Sequence, residues 1–428
     1  PLFASDQVPA PPQDHPIALV GGTVHTITGG VIENGVVLFV DGKITAVGTE
    51  VALPDATEQI DISGRHVYPA LIAANTTLGL IEIGAVRATR DYAEVGDIKP
   101  EVRAEVAFNP DSELLPVARA NGIALALSVP QGGLISGTSA LMMLDGWTWE
   151  QMTLKAPVAL HLHWPWMRVQ KAPWIRQSPE EQIQARDKQI DRIRQAFADA
   201  RAYLKAKEAE AAGGAPYHDT DVRWEAMIPV LKGEVPVFVH AEDILQIQAA
   251  LDWAESEGIR MVLVGGYDAW RVAEELKEKD IPVIISEIHQ LPMRRWEDYD
   301  APFTLPVKLH RAGVKFCIAG SGSSFDAPHE RNLPYQAATA AAYGLPPEEA
   351  LKAITLYPAE ILGVADRVGS IEVGKDATLI VTTGDPLEIT TQVEMEFIQG
   401  RKIDLSSRHT ELYEKYREKY RQLHLFRE

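Results

Sequence analysis

Four histidines stand where strands would deliver them to a common site. His161 and His163 flank Leu162 in the strand-like run from Val158 to Trp164. Alternation along a strand sends both side chains to one face. His240 closes the apolar run Val237-Phe238-Val239, and His289, with Glu287, follows Ile281-Pro282-Val283-Ile284-Ile285. Neutral imidazole serves as a zinc ligand and as a general base. Three imidazoles with an open water position would make a mononuclear catalytic zinc site. The same rings, hydrogen-bonded to one another, would make a polar cluster with no metal, and His161 and His163 beside Trp164 and Trp166 also suit plain packing. Asp326, beyond the run Val314 to Ala319, adds a carboxylate to this set or caps a loop.

Other polar stretches read as loops around such a site. Gln131 to Thr138, containing Gly132, Gly133, Ser136 and Gly137, suits close backbone approach to a ligand. It lacks the Gly-Lys-Ser/Thr ending of a phosphate loop. Arg87 and Arg90 are spaced to hold a substrate carboxylate or to form surface ion pairs. The segments Pro292 to Arg295 and Glu330 to Tyr335 are similar candidates.

The elements that must position these groups are legible as repeated βα units. From Val235 onward, short continuous apolar runs alternate with helical stretches, the pattern of buried parallel strands. No Gly-rich phosphate turn opens the series, so a closed (β/α)₈ TIM-like barrel over about 69–365 is expected rather than an open sheet. C-terminal strand ends of such a barrel meet at one mouth, and His240 is expected to share a cavity there with at least one of His161, His163 and His289. Ser178-Pro179-Glu180-Glu181 starts a long helix over 178–212, which Gly213-Gly214 stops. Residues 16–68 and 366–405 are strand-rich and are expected to share one small β-domain built from both ends. Residues 1–15, with Pro9, Pro11 and Pro12, read as a disordered leader, and 406–428 as a C-terminal helix.

Composition narrows the partners. The net charge of −19 argues against nucleic acid, which favours a basic surface. No apolar run reaches the roughly 18–20 residues of a membrane span. A soluble protein is expected, cytoplasmic or exported with its signal removed, and a homo-oligomer is compatible with the sequence. Cys317 is the single cysteine and forms no intrachain disulfide.

Two further segments carry a family. Asp41-Gly42-Lys43-Ile44-Thr45-Ala46-Val47-Gly48 with Gly64 to Ile72, and Pro358-Ala359 with Gly369 to Ala377, resemble the amidohydrolase superfamily in its imidazolonepropionase and prolidase-like branch. The resemblance implies a metal-dependent hydrolase barrel with a β-sandwich built from both chain ends. It also implies a His-x-His pair on the first barrel strand, where this chain has Asn75-Thr76-Thr77. The family's carboxylate after the last strand meets Gly320-Ser321-Gly322, and its strand-six histidine meets Gly265-Gly266, while His240 matches the strand-five ligand. Asn75 and Thr77 are poor zinc ligands and are expected to line the mouth beside substrate. The resulting expectation is hydrolysis of an amide-type C–N bond in a small molecule or peptide, with one divalent metal, zinc, or none. The alternative is a catalytically inactive barrel that binds a ligand or assembles with a partner.

Overall fold

A computed structural model of the chain describes residue 5 and residues 7–425. Strands from both ends of the chain form one sheet. It contains β1 (Ile17–His25), β2 (Val31–Val40), β3 (Lys43–Gly48), β4 (Glu58–Asp61) and β5 (His66–Pro69). The later strands β16 (Leu379–Thr382), β17 (Val393–Ile398) and β18 (Arg401–Lys402) join it through antiparallel pairing of β16 with β5. Asp41 and Gly42 both take positive φ in the two-residue turn between β2 and β3, as a type I′ hairpin requires. Phe39 and Phe397 meet edge to face at 5.2 Å in the apolar core of this sheet.

The remaining strands follow one another around the other core. They are β6 (Leu71–Thr76), β7 (Ile123–Ser128), β8 (Ile135–Thr138), β9 (Ala140–Met143), the short β10 (Thr153–Lys155), β11 (Leu160–His163), β12 (Val237–Ala241), β13 (Met261–Gly265), β14 (Val283–Ile285) and β15 (Phe316–Ile318). β8 and β9 are halves of one bent run: β9 pairs with β7 and β8 pairs with β11, both antiparallel. The bend falls at Ser139, whose N–H and hydroxyl both reach the Ala159 carbonyl. The run therefore joins two ladders, β6-β7 on one side and β11-β12-β13-β14-β15 on the other, all parallel within themselves.

Two expectations change here. The staves are not uniformly parallel, because the third, β8/β9, runs against its neighbours. Nor does a ladder among the described residues join β15 to β6. A side chain spans that seam instead: Asn75 Nδ2 donates to the Gly320 carbonyl at 3.1 Å.

The helix Pro179–Ala211 starts on a capping box between Ser178 and Glu181. It buries Ile190, Ile193, Phe197 and Ala200, with Phe197 edge-on to Trp253 at 5.0 Å. Residues 1–4 and 6 of the expected leader lie outside the described residues. The rest is hydrogen-bonded to the body, through Ala10 N to Asp145 Oδ2 and through Gln13 to the Phe39 carbonyl and the Gly42 N–H. The helix Arg408–Gln422 buries none of its side chains.

Where the terminal sheet meets the other core, charges are buried. Asp145 accepts from Arg119 at 2.9 Å and from Arg401 at 2.7 Å. Glu396 beside them is fully buried, and neither carboxylate oxygen has a hydrogen-bond partner among the described residues. Burial pushes its carboxyl up to about 8, against the pull of Arg119. Below the ordinary glutamate range both folded and unfolded chains hold this proton. Between there and about 8 only the unfolded chain loses it, so this group's contribution falls as pH rises. Glu396→Gln should therefore match wild type in unfolding free energy near pH 4 and exceed it by a margin that grows toward pH 8. Denaturant titrations at several pH values read that margin; a constant difference would show that Glu396 ionises freely in the fold.

Candidate functional site

Parallel register builds the first half of the site. His163 on β11 lies opposite His240 on β12, and His161 lies opposite Phe238. Alternation puts all four on one face of the sheet. His161 is fully buried, whereas His163 and His240 are partly exposed above it. The His161 Nδ1 to His240 Nε2 distance is 2.9 Å, and the His163 and His240 rings stack at 4.2 Å with 24° between their planes. Ser136 Oγ lies 3.4 Å from His163 Nε2. The expected partnership of His240 with His161 and His163 is present; His289 is not part of it.

Electrostatics keep these rings neutral. Burial, with His163 beside it, holds His161 well below the usual histidine range; burial and both neighbouring histidines do the same to His240. His163 is lowered to about 4 by burial, with the Lys99 ammonium adding repulsion. Lys99 is itself nearly buried and donates to the Glu94 carbonyl at 2.8 Å.

The second half lies beyond β14 and β15. A cavity of about 220 Å³ is lined by Glu287, His289, Ser321, Phe325, Asp326 and Glu330, among others. His289 is exposed there and pairs through Nε2 with Thr339 Oγ1 at 2.7 Å. Its placement corrects the expectation of a fourth metal-binding imidazole: after Ile285 the chain turns at Glu287, with φ of +110°, and carries His289 to the rim of this cavity. Asp326 accepts from the Ser321 and Ser323 hydroxyls, so it also organises the loop that follows β15.

Asn75 and Thr77 are buried, and both reach backbone carbonyls of that loop, Thr77 Oγ1 meeting Ser323 O at 3.4 Å. Arg87 and Arg90 are exposed on the loop after β6 and form no ion pair among the described residues. Arg294 is fully engaged, bonding Asp243 at 2.8 Å, Glu297 at 2.5 Å and both oxygens of Asp268. That network ties the loops after β12, β13 and β14 together and leaves Arg294 no role as a free carboxylate clamp.

Two carboxylates stand against glycines near the ends of β13 and β15. A Cβ on Gly265 would sit 2.4 Å from Glu242 Oε1, and one on Gly320 would sit 2.7 Å from Glu330 Oε1. Burial pushes Glu242 up to about 7 and Glu330 to about 8. Glu242 accepts from the Tyr267 N–H at 3.0 Å. Sequence reasoning passed over Glu242, although it lies two residues beyond His240. It placed Glu330 only in a candidate loop.

The histidine cluster does not fit the expected zinc site as it stands. His161 Nδ1 is spent on His240 Nε2, and stacked rings do not aim their nitrogens at one point. Among the described residues no three His, Cys, Asp or Glu side chains converge as a metal-holding group.

Comparison with known proteins follows this geometry. The amidohydrolase family matches residues 150–403. An amidohydrolase of Hapsidospora irregularis is 23% identical over 389 residues, which are 86% of this chain and 39% of that protein. Imidazolonepropionase of Staphylococcus aureus is 52% identical over 70 residues, 15% of this chain and 17% of the enzyme. The chain thus spans well under two thirds of the curated relatives it matches. A solved amidohydrolase from Thermotoga maritima superposes with a TM-score of 0.80 at 28% identity, covering 91% of this chain and 99% of the other. The resemblance carried by the segments at 41–48, 64–72 and 369–377 is borne out.

Because Gly265 has φ of +101° and faces Glu242, Gly265→Ala should cost about 1–3 kcal/mol through strain and clash. Adding Glu242→Ala should return part of that loss. Chemical denaturation of the two single variants and the double variant gives the coupling; strictly additive losses would mean that the two positions do not share space.

Proposed function

Since the chain belongs to the amidohydrolase family, we propose that it hydrolyses an amide-type C–N bond in a small molecule or peptide, with the family's metal centre reduced or absent. The observation that carries this reading is the trio of neutral imidazoles at the ends of β11 and β12, two of them partly exposed. The reading includes a (β/α)₈ barrel over 69–365 and a composite β-sandwich from 16–68 and 366–405. Support comes from the parallel ladders and from the sheet shared by β5 and β16.

The rings divide the work. His161 is enclosed, and its Nε2 has no partner among the described residues. An enclosed lone pair costs less than an enclosed orphan N–H, so His161 donates from Nδ1 to His240 Nε2. His240 is then a positioning residue whose acceptor nitrogen is occupied. His163 keeps capacity, since Ser136 is only a distant hydrogen-bond neighbour at 3.4 Å. His163 is the general base: it takes the proton of a water attacking the amide carbonyl and returns it to the leaving nitrogen. Ser136, fully buried, orients the ring and does not act as nucleophile.

Assays of the full chain against N-acyl amino acids, dipeptides and cyclic amides, with metal content measured in parallel, test this reading. His163→Ala should lower kcat/KM by about 10²–10⁴. The acid limb of the wild-type profile should lie near pH 4, because a base with a lowered pKa stays unprotonated far below the ordinary histidine range. A limb near 6.5, full activity in the variant, two tightly held metal ions per chain, or no hydrolysis across the panel would each overturn it.

A further inference from the structure

The cavity beyond β14 and β15 gathers three carboxyl groups without a guanidinium or ammonium beside them. Glu287, Asp326 and Glu330 all line it, and its lining includes no lysine or arginine. Elsewhere at these strand ends, Asp243, Asp268 and Glu297 each hold a guanidinium. Here Asp326 Oδ2 takes two serine hydroxyls, while Oδ1 has only His329 Nδ1 near it, at 3.7 Å. Glu330 is 4% exposed; neither oxygen has a partner of good hydrogen-bond geometry among the described residues, and the nearby Thr76 hydroxyl offsets only part of the cost of burial.

Backbone strain points the same way. Glu287 holds φ of +110°, a region an L side chain rarely adopts, at a cost of order 1–3 kcal/mol. Its carboxylate joins the cavity from that strained position. Gly320 leaves open the space that Glu330 occupies, since a Cβ there would meet both oxygens at 2.7 and 3.0 Å. Phe325, 79% exposed, adds an aromatic face at the rim.

We propose that this cavity binds a primary ammonium group of a small ligand, with Glu287, Asp326 and Glu330 as its acceptors. Three N–H donors match three carboxylates, and the Phe325 ring offers a cation–π contact. The carboxylates do not converge as a metal-ligand set among the described residues, which favours a group carrying its own hydrogen-bond donors. A volume of about 220 Å³ is below the roughly 300–1,000 Å³ of whole-ligand pockets, so the cavity holds one end of a molecule. Burial raises Glu330 to about 8; the incoming cation displaces its proton to solvent. The site stands independently of the hydrolysis reading. Taken with that reading, it specifies an amide substrate that also carries an amino group.

Calorimetric titration of the full chain at pH 7 with n-butylammonium chloride tests the site. Tetramethylammonium and potassium chloride serve as controls without N–H donors, and two buffers of different ionisation enthalpy count protons. The expected result is saturable butylammonium binding with proton release, weakened at least about tenfold in Glu330→Gln and in Glu287→Gln. Both variants should retain the wild-type unfolding cooperativity, so a lost signal is not a lost fold. Equal heats from tetramethylammonium or potassium, or undiminished binding in Glu330→Gln, would overturn the proposal. So would saturable binding of zinc or manganese that requires Glu330 when butylammonium does not bind. Butylammonium binding in a chain that hydrolyses nothing would uphold this site while removing the proposed activity.

Discussion

The gap between β15 and β6 is crossed by side chains, foremost the amide of Asn75. β15 and β6 share no backbone ladder among the described residues, and Asn75 Nδ2 reaches across to the Gly320 carbonyl. Asn75 is buried, so this hydrogen bond forms away from competing water, where loss of a partner is costly. The contact requires Gly322 as well, since a Cβ there would meet Asn75 Nδ2 at 2.5 Å. With Gly320 and Gly322 held, the following loop brings Ser321, Asp326 and Glu330 to the cavity, and Thr77 adds a second tie at Ser323. Asn75 thus ties the strand β6 to the loop that follows β15.

Desolvation governs the protonation of both halves of the site. At the histidines it works with mutual repulsion and favours the uncharged base. At Glu242 and Glu330 it favours the uncharged acid. One physical cause thus yields neutral groups of opposite type near the same strand ends.

The sequence made the face shared by His161 and His163 legible, because alternation in a short strand has only two outcomes. It also made His240 legible, because an apolar parallel strand ends abruptly in a polar residue. The placement of His289 was hidden: everything after Ile285 depends on the positive φ of Glu287, a conformation its residue type does not announce. The direction of β8/β9 was hidden for a related reason. Gln131 to Thr138 reads as a glycine-rich loop, yet Ile135–Thr138 is the buried strand β8, and only its pairing with β11 fixes its course. Arg294 looked available because its four carboxylate contacts come from three separate loops.

The glycines show how chemistry moves without the strands moving. Gly265 and Gly320 lack side chains at the end of β13 and beyond β15, and in each case a carboxylate from another part of the chain stands in the freed space. A glycine there is therefore a condition for seating Glu242 or Glu330, since any Cβ would collide with the acid. The origin of the two acids also differs from that of a strand-borne side chain. A ligand on a strand end is aimed by the rigid ladder, whereas Glu242 and Glu330 come from the segments that follow β12 and β15. Their raised proton affinity follows from entering an enclosed space without a guanidinium.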